Sequence, residues 1–248
     1  MNPFALSGKR ILVTGASSGI GRACAIMAAE LGAKLVLTGR RESALDETLA
    51  TFKEAGHSVV AGDITSDAFI AELAEKSGKV DGFVHAAGIG PMCPIGMITT
   101  EHVNKVMQTN YYAFLNLMKV FSRRAYRAER LSVVAISSVS AFAGWGGVSV
   151  YCGSKGALVS SVRALSVELA TKGIRVNAIC PSNIKTPLFD SGAANVNDVA
   201  SLRELLKKQP LGLGYPNQVA APVCFLLSDA ASFLTGASIP VDGGYLAQ

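Results

Sequence analysis

The chain of 248 residues contains no apolar run of the eighteen or so residues that a bilayer crossing needs. No membrane-spanning segment, and no membrane partner, is therefore expected. It also lacks any C-x-x-C pair. The five cysteines (Cys24, Cys93, Cys152, Cys180 and Cys224) are scattered and odd in number, which argues against a disulfide framework or a zinc site. No metal is expected, and the thiols read as reduced groups of a cytoplasmic protein. Nothing at the N-terminus reads as a secretory leader, because Met1–Arg10 runs straight into the first apolar segment. No internal repeat or low-complexity tract is present. Charge is sparse, and no nucleic-acid-binding motif accompanies the net +5, so no nucleic-acid partner is expected.

Half of the residues are hydrophobic, enough for a sizeable core in one α/β domain over residues 1–248. Much of the positive excess lies in Lys119, Arg123, Arg124, Arg127 and Arg130. This run reads as a solvated helix end whose cations suit the carbonyl terminus. The functional alternative is a landing patch for an acidic partner such as an acyl carrier protein.

Short apolar runs start at Arg10, Lys34, Ser58, Val80, Leu131, Ile174 and Ala237. They alternate with helical patterns: one through Leu31, then 42–55, 66–77, 100–126, the stretch beyond Tyr151, 197–208 and 217–228. That alternation predicts a Rossmann-type doubly wound parallel sheet of about seven strands with helices on both faces. Ligands bind such sheets at the carboxyl ends of the strands, so Gly15, Asp63, Gly88 and Ser138 should border one crevice. An irregular Gly- and Asn-containing segment at 191–198 reads as a lid.

Between the first strand and the first helix stands Gly15-Ala16-Ser17-Ser18-Gly19-Ile20-Gly21. Glycines here let the backbone approach a pyrophosphate, and the helix N-terminus favours its negative charge. The second strand ends in Gly39-Arg40-Arg41, with no carboxylate to take ribose hydroxyls. An arginine there accommodates a 2′-phosphate, and Ser18 adds a donor, so NADP(H) is favoured over NAD(H). The plainer reading is a pair of solvated arginines.

The chemistry is carried by Ser138, Tyr151 and Lys155. A Tyr and a Lys four residues apart share one helix face. A nearby ammonium favours the phenolate and brings a phenol towards a useful pKa, and a serine hydroxyl beside it can hold a substrate oxygen. Together these groups would run proton transfer at a carbonyl or alcohol.

These motifs, with Thr109-Asn110-Tyr111, Asp63-Ile64, Leu234-Thr235-Gly236 and Val241-Asp242-Gly243-Gly244, resemble the short-chain dehydrogenase/reductase family from Gly8 to Gly244, including its 3-oxoacyl-carrier-protein reductases. The resemblance implies that Tyr151 is the general acid or base. Lys155 would lower its pKa and bind the nicotinamide ribose, Ser138 would orient the carbonyl, and Asn110 would support a water-linked proton path. It places Gly15, Ser17, Ser18, Gly19, Ile20, Gly21, Arg40, Asp63, Ile64, Ala87, Gly88, Pro181, Ile184 and Thr186 at the cofactor, and implies a homotetramer or homodimer. The implied activity is NADPH-dependent reduction of a ketone, a 3-oxoacyl thioester included. Oxidative alcohol or sugar dehydrogenation and a cofactor-binding regulatory protein without turnover are the alternatives.

Two departures stand out. His85-Ala86-Ala87-Gly88 replaces the family's Asn-Asn-Ala-Gly, removing an amide that braces the sheet, with His85 read as structural. Pro181-Ser182 replaces Pro-Gly, which would put a hydroxyl near the nicotinamide. Candidate substrate residues are Ile89, Met92, Ser140, Phe142, Trp145, Asn183 and Phe189. Arg130 and Lys172 are candidates for carrier-protein docking.

Overall fold

The computed structural model describes residues 2–192 and 207–248. Its strands are β1 (Arg10–Thr14), β2 (Lys34–Gly39), β3 (Ser58–Ala61), β4 (Val80–His85), β5 (Arg127–Ile136), β6 (Ile174–Pro181) and β7 (Ser238–Val241). They form one sheet in the order β3-β2-β1-β4-β5-β6-β7, and every pairing is parallel. The expected doubly wound sheet is observed.

Each central strand buries both faces, as a sheet covered by helices on both sides requires. In β1, Leu12 enters one core while Ile11 and Val13 enter the other. The Leu12 side is covered by α3 (Asp67–Ser77), α5 (Ala113–Phe121) and α6 (Ser149–Ala170). The opposite side is covered by α1 (Gly19–Glu30), α2 (Glu42–Leu49) and α8 (Pro216–Leu227). Two further helices, α4 (Thr100–Met107) and α7 (Pro187–Gly192), lie near the carboxyl edge of the sheet.

Several boundaries differ from the sequence expectation. The pattern at 42–55 is helical only to Leu49, and the chain then turns through Gly56 at φ +99°. The pattern at 100–126 is not one helix: a π turn, Gln108–Tyr112, separates α4 from α5, which ends at Phe121. Of the basic run, Lys119 is exposed in the last turn of α5 and Arg123, Arg124 and Arg130 are exposed beyond it, as a solvated helix end requires, and Arg127 alone departs from that reading. Arg127 starts β5 with its guanidinium buried, donating to the carbonyls of Ser122, Ala128 and Glu129. The third and last strands, Ser58–Ala61 and Ser238–Val241, are shorter than the apolar runs suggested. The expected helix at 197–208 and most of the expected lid lie outside the described residues. No described helix is long and apolar enough to cross a membrane.

Phe83 of β4 stacks between Phe114 and Phe121, at centroid separations of 6.5 and 6.0 Å, and all three rings are fully buried. Truncating the central ring leaves a cavity that two rigid neighbours cannot fill. Phe83→Ala is expected to cost about 3–5 kcal/mol of unfolding free energy, read from urea denaturation; a loss below about 1 kcal/mol would contradict this packing.

Candidate active site

The carboxyl ends of β1, β4, β5 and β6 meet at one edge. Gly15 leaves β1 at φ +67°, and a β-carbon there would lie 2.8 Å from the Ala87 nitrogen. Gly21 is equally constrained, since its β-carbon would lie 2.3 Å from the Gly15 carbonyl oxygen. The turn thus packs backbone on backbone, which only glycine permits. Ser18 is the N-cap of α1, its side chain makes no capping bond, and the first turn holds no acidic residue. That leaves an N-terminus of positive character at the crevice.

β5 delivers Ser137 and Ser138. Ser137 Oγ donates to the Lys155 carbonyl at 2.9 Å, which pins α6 to the strand end. Ser138 Oγ accepts the Ser140 N–H at 3.1 Å and lies 2.9 Å from Ser140 Oγ. Ser140, expected to face substrate, instead holds Ser138. On the first turns of α6, Tyr151 and Lys155 face the same region. Lys155 is buried, with Nζ donating to the Ile136 carbonyl at 2.9 Å and lying 5.7 Å from the Tyr151 ring centroid. Burial lowers the Lys155 pKa to about 8, opposed by Cys180. Burial raises the Tyr151 pKa, and hydrogen bonding with Ser138 opposes that rise. Lys155 is positioned over the ring and bonded to the strand end.

Asn110 sits on the π turn, a distortion that commonly marks functional positions. Its Oδ1 accepts the Ile89 N–H at 2.8 Å, and its Nδ2 donates to the Ile89 carbonyl at 2.8 Å and to Ser154 Oγ at 3.0 Å. Ser154 donates in turn to the Tyr151 carbonyl at 2.8 Å. Gly88 lies between these groups: its β-carbon would be 3.3 Å from Asn110 Oδ1 and 3.4 Å from Lys155 Nζ. Asn110, Ser138, Tyr151 and Lys155 therefore surround one small region. Ser154 was not anticipated; its position one residue before Lys155 was the available signal.

The Ala86 departure has a local answer. Thr14 Oγ1 accepts both the Ala86 and Ala87 N–H groups at 3.2 Å and lies 3.3 Å from His85 Nδ1. With its lone pairs so engaged, the Thr14 hydroxyl donates to Nδ1, placing the ring proton on Nε2. Among the described residues Nε2 has no hydrogen-bond partner. Burial, reinforced by the Lys155 charge, lowers the His85 pKa to about 3 against a smaller opposing pull from the Asn110 backbone.

The cofactor residues are spread as follows. Ser17 Oγ lies 3.7 Å from where a β-carbon on Gly39 would stand, and Arg40 is exposed just beyond. Asp63 Oδ1 accepts the Thr65 N–H and hydroxyl, and Ile64 is buried. Ile20 packs on the α1 side of the core. Pro181 closes β6, and Ile184 bridges to Gly214. Thr186 Cγ2 would lie 3.3 Å from a β-carbon on Gly19, which joins the loop after β6 to the glycine turn. A glycine cradle and an uncapped helix N-terminus fit a dinucleotide cofactor.

Of the substrate candidates, Met92, Phe142 and Trp145 are exposed, while Ile89 is tied to Asn110 through its backbone. Phe189 is half-buried, with its N–H donated to Thr186 Oγ1. Asn183 does not stand free: its amide donates to Gln209 Oε1 at 3.2 Å. Ser182 lies 2.9 Å from Gln209 Oε1 and 3.0 Å from the Asp242 carbonyl. Arg130 and Lys172 lie at the amino ends of β5 and β6, where the Leu131 N–H meets the Gly173 carbonyl. That is the opposite edge of the sheet from Ser138, so the pair does not border this chain's crevice. No described cluster of His, Cys, Asp or Glu is suited to a metal.

The family model described as enoyl-(acyl carrier protein) reductase matches residues 15–246. An L-rhamnose 1-dehydrogenase (NAD(P)(+)) of Sphingomonas sp. (strain SKA58) is 34% identical, covering 96% of both chains. The 3-oxoacyl-[acyl-carrier-protein] reductase FabG of Rickettsia prowazekii (strain Madrid E) is 33% identical, over 97% of this chain and 98% of its own. Among solved structures, a chain from Beutenbergia cavernae, provisionally assigned as an NAD(P)-dependent gluconate 5-dehydrogenase and holding NADP at low occupancy, superposes with a TM-score of 0.89. It is 32% identical and both chains are covered fully.

The buried histidine gives a signed pH prediction. Its folded pKa of about 3 lies below the ordinary value of about 6.5. Below pH 6.5 the unfolded chain therefore binds more protons, and stability falls as pH drops towards 3. The His85 contribution approaches about 1.4 kcal/mol per pH unit. Denaturant titrations at pH 7, 6 and 5 should show wild type losing stability more steeply than His85→Asn; equal slopes would mean that His85 is not held neutral.

Proposed function

The chain belongs to the short-chain dehydrogenase/reductase family and is an oxidoreductase, and we propose that it reduces a ketone to a secondary alcohol with NADPH. The observation that carries this reading is the convergence of Ser138, Tyr151, Lys155 and Asn110 beside the glycine turn. Bound there, the nicotinamide cofactor supplies the hydride. Gly15, Ser17, Ser18, Gly19 and Gly21 hold its pyrophosphate, Arg40 meets the 2′-phosphate, and Ala87, Gly88, Pro181, Ile184 and Thr186 flank the nicotinamide half. Asp63 and Ile64 lie towards the adenine.

Ser138 Oγ holds the substrate oxygen, and Tyr151 gives it the proton. Burial keeps the phenol protonated at neutral pH, the state a reductase needs in its donor. Lys155 fixes charge beside the ring, and Asn110, braced between Ile89 and Ser154, shapes the route by which the proton is replaced. A 3-oxoacyl thioester is one ketone that suits the exposed apolar rim of Met92, Phe142 and Trp145, and the likeness to FabG favours it. The likeness to the rhamnose dehydrogenase favours the oxidative alternative, an alcohol or sugar substrate. Ile89, Ser140, Trp145 and Asn183 come into this reading unequally: Trp145 stands at the rim, whereas Ile89 braces Asn110, Ser140 meets Ser138 and Asn183 meets Gln209.

We further propose assembly from identical chains, in the cytoplasm. A groove between α5 and α6, lined by Leu115, Met118, Leu165 and Leu169, and the exposed Val167 and Phe233 are surfaces that a second copy would cover.

Three measurements test the reading. Fluorescence titration should give tighter binding of NADPH than of NADH, and Arg40→Asp should weaken NADPH by about tenfold or more while sparing NADH. Unchanged NADPH affinity would remove Arg40 from the phosphate site. Tyr151→Phe should lower turnover of a ketone substrate by about 10²–10⁴ with NADPH binding retained, and full activity would rule out the proposed proton donor. Activity confined to the oxidation of sugars would select the alternative direction.

A further inference from the structure

Gln209 is a buried polar side chain that this mechanism does not use; its exposure is only 2%. Its amide is saturated. Oε1 faces three donors: Ser182 Oγ at 2.9 Å, the Asn183 N–H at 3.3 Å and Asn183 Nδ2 at 3.2 Å. Nε2 donates to the Gly212 carbonyl at 2.6 Å and to the Asn183 carbonyl at 3.2 Å. This pattern of donors and acceptors fixes which end of the amide points where. Ser182 carries one proton for two acceptors, Gln209 Oε1 and the Asp242 carbonyl, and so bridges the loop after β6 to the C-terminal turn.

The surroundings explain why so much is invested in one amide. The chain leaves β6 at Pro181 and returns beside it. Gly214 donates to the Asn183 carbonyl at 3.0 Å, Lys185 donates to the Gly214 carbonyl at 2.8 Å, and Ile184 pairs with Gly214 as an isolated bridge. Asn183, Ile184 and Lys185 are thus stapled to Gly214, with Gln209 against the staple. On its other side the same loop places Thr186 against Gly19 of the glycine turn. The third wall is the C-terminal turn, where Leu211 donates to the Gly243 carbonyl at 3.1 Å. A β-carbon on Gly243, at φ +60°, would come within 2.8 Å of Gln209 Cγ.

We propose that Gln209 is a positioning residue for the cofactor site: through Ser182 and Asn183 it sets the loop 181–186 against the glycine turn before the cofactor arrives. The inference rests on the cofactor reading above. Where the family's glycine would make no side-chain bond, Ser182 supplies a hydroxyl that Gln209 meets, so the two residues act as a pair. A preset loop pays less ordering entropy on binding, so losing the lock weakens cofactor binding more than it slows the chemical step, which Tyr151 and Lys155 run from α6.

The test is titration of NADPH fluorescence on wild type, Gln209→Met, Gln209→Glu and Ser182→Gly, with steady-state kinetics and thermal unfolding alongside. Methionine keeps the volume and removes all the amide's bonds. Gln209→Met should raise Kd and KM for NADPH about tenfold, the loss of one or two net hydrogen bonds, with kcat at saturation changed less than about threefold. Ser182→Gly should shift binding in the same direction by a smaller factor. Gln209→Glu should bind NADPH worse than wild type at pH 8, where a carboxylate would face the Asn183 and Gly212 carbonyls. The ratio of its Kd to that of wild type should recover towards pH 5.5, where the protonated acid can donate again. A loss of packing alone would not recover with pH. If Gln209→Met does not fold, Ser182→Gly and Gln209→Glu decide. Unchanged NADPH affinity in the folded variants, or a fall in kcat with Kd intact, overturns the proposal. Wild type binding neither NADPH nor NADH would instead defeat the cofactor reading itself.

Discussion

An ammonium buried at the end of a parallel sheet is the constraint on which the site depends. Lys155 would be costly to bury without partners, and the fold meets that cost from several directions. The Ile136 carbonyl accepts from Nζ at 2.9 Å. Ser137 fastens the backbone of Lys155 itself to β5. Asn110 and Ser154 tie the first turns of α6 to the loop after β4, and Gly88 passes close between Asn110 and Lys155. Removing side-chain volume at residue 88 and placing a π turn at residue 110 are two parts of one solution. The absence of a β-carbon at residue 88 keeps this approach uncrowded, and the π turn carries the amide that braces the loop.

The same edge shows how departures from a family pattern are absorbed. Alanine at 86 offers no side-chain amide to the sheet, and the Thr14 hydroxyl holds the backbone N–H groups of Ala86 and Ala87 there. That engagement turns the hydroxyl's proton onto His85 and leaves the imidazole neutral, wedged among Phe83 and Phe114 at centroid distances of 6.2 and 5.5 Å. A charged imidazole there would repel the Lys155 ammonium. The low His85 pKa and the lowered Lys155 pKa are consistent consequences of placing two basic groups in one dry region, and the histidine is the one that gives up its proton.

The sheet and the convergence of Ser138, Tyr151 and Lys155 were legible in the sequence because each rests on a local pattern. Apolar runs such as Ile11-Leu12-Val13 cannot be solvated on either face. A glycine turn between strand and helix has few uses, and a Tyr–Lys spacing of four sets both on one helix face. What was not legible depends on contacts between distant segments. Nothing near Gln209 announces that it will meet Ser182 and Asn183 across 26 residues of chain. Arg127 reads as one more cation in a basic run, and only the geometry of the α5–β5 connection shows three carbonyls waiting for it. The π turn at 108–112 likewise went unsignalled, the residues from 100 to 126 reading as one helical pattern.

The limit on reading a substrate has the same origin. Groups that move protons are anchored at strand ends and on α6, so their chemistry follows from their identity and a few angles. The residues that would face a substrate belong to connections. Met92, Phe142 and Trp145 stand exposed on two loops joined by the Cys93 N–H to the Gly147 carbonyl at 2.7 Å. Loops of this kind tolerate change without disturbing the sheet, which is how relatives about one-third identical over nearly their whole length act on a sugar in one case and an acyl thioester in another. Reaction class is therefore a property of the buried edge, and substrate choice a property of its rim. The Ser182–Gln209 lock lies between the two: it belongs to the frame by its burial and to the rim by the loop it holds.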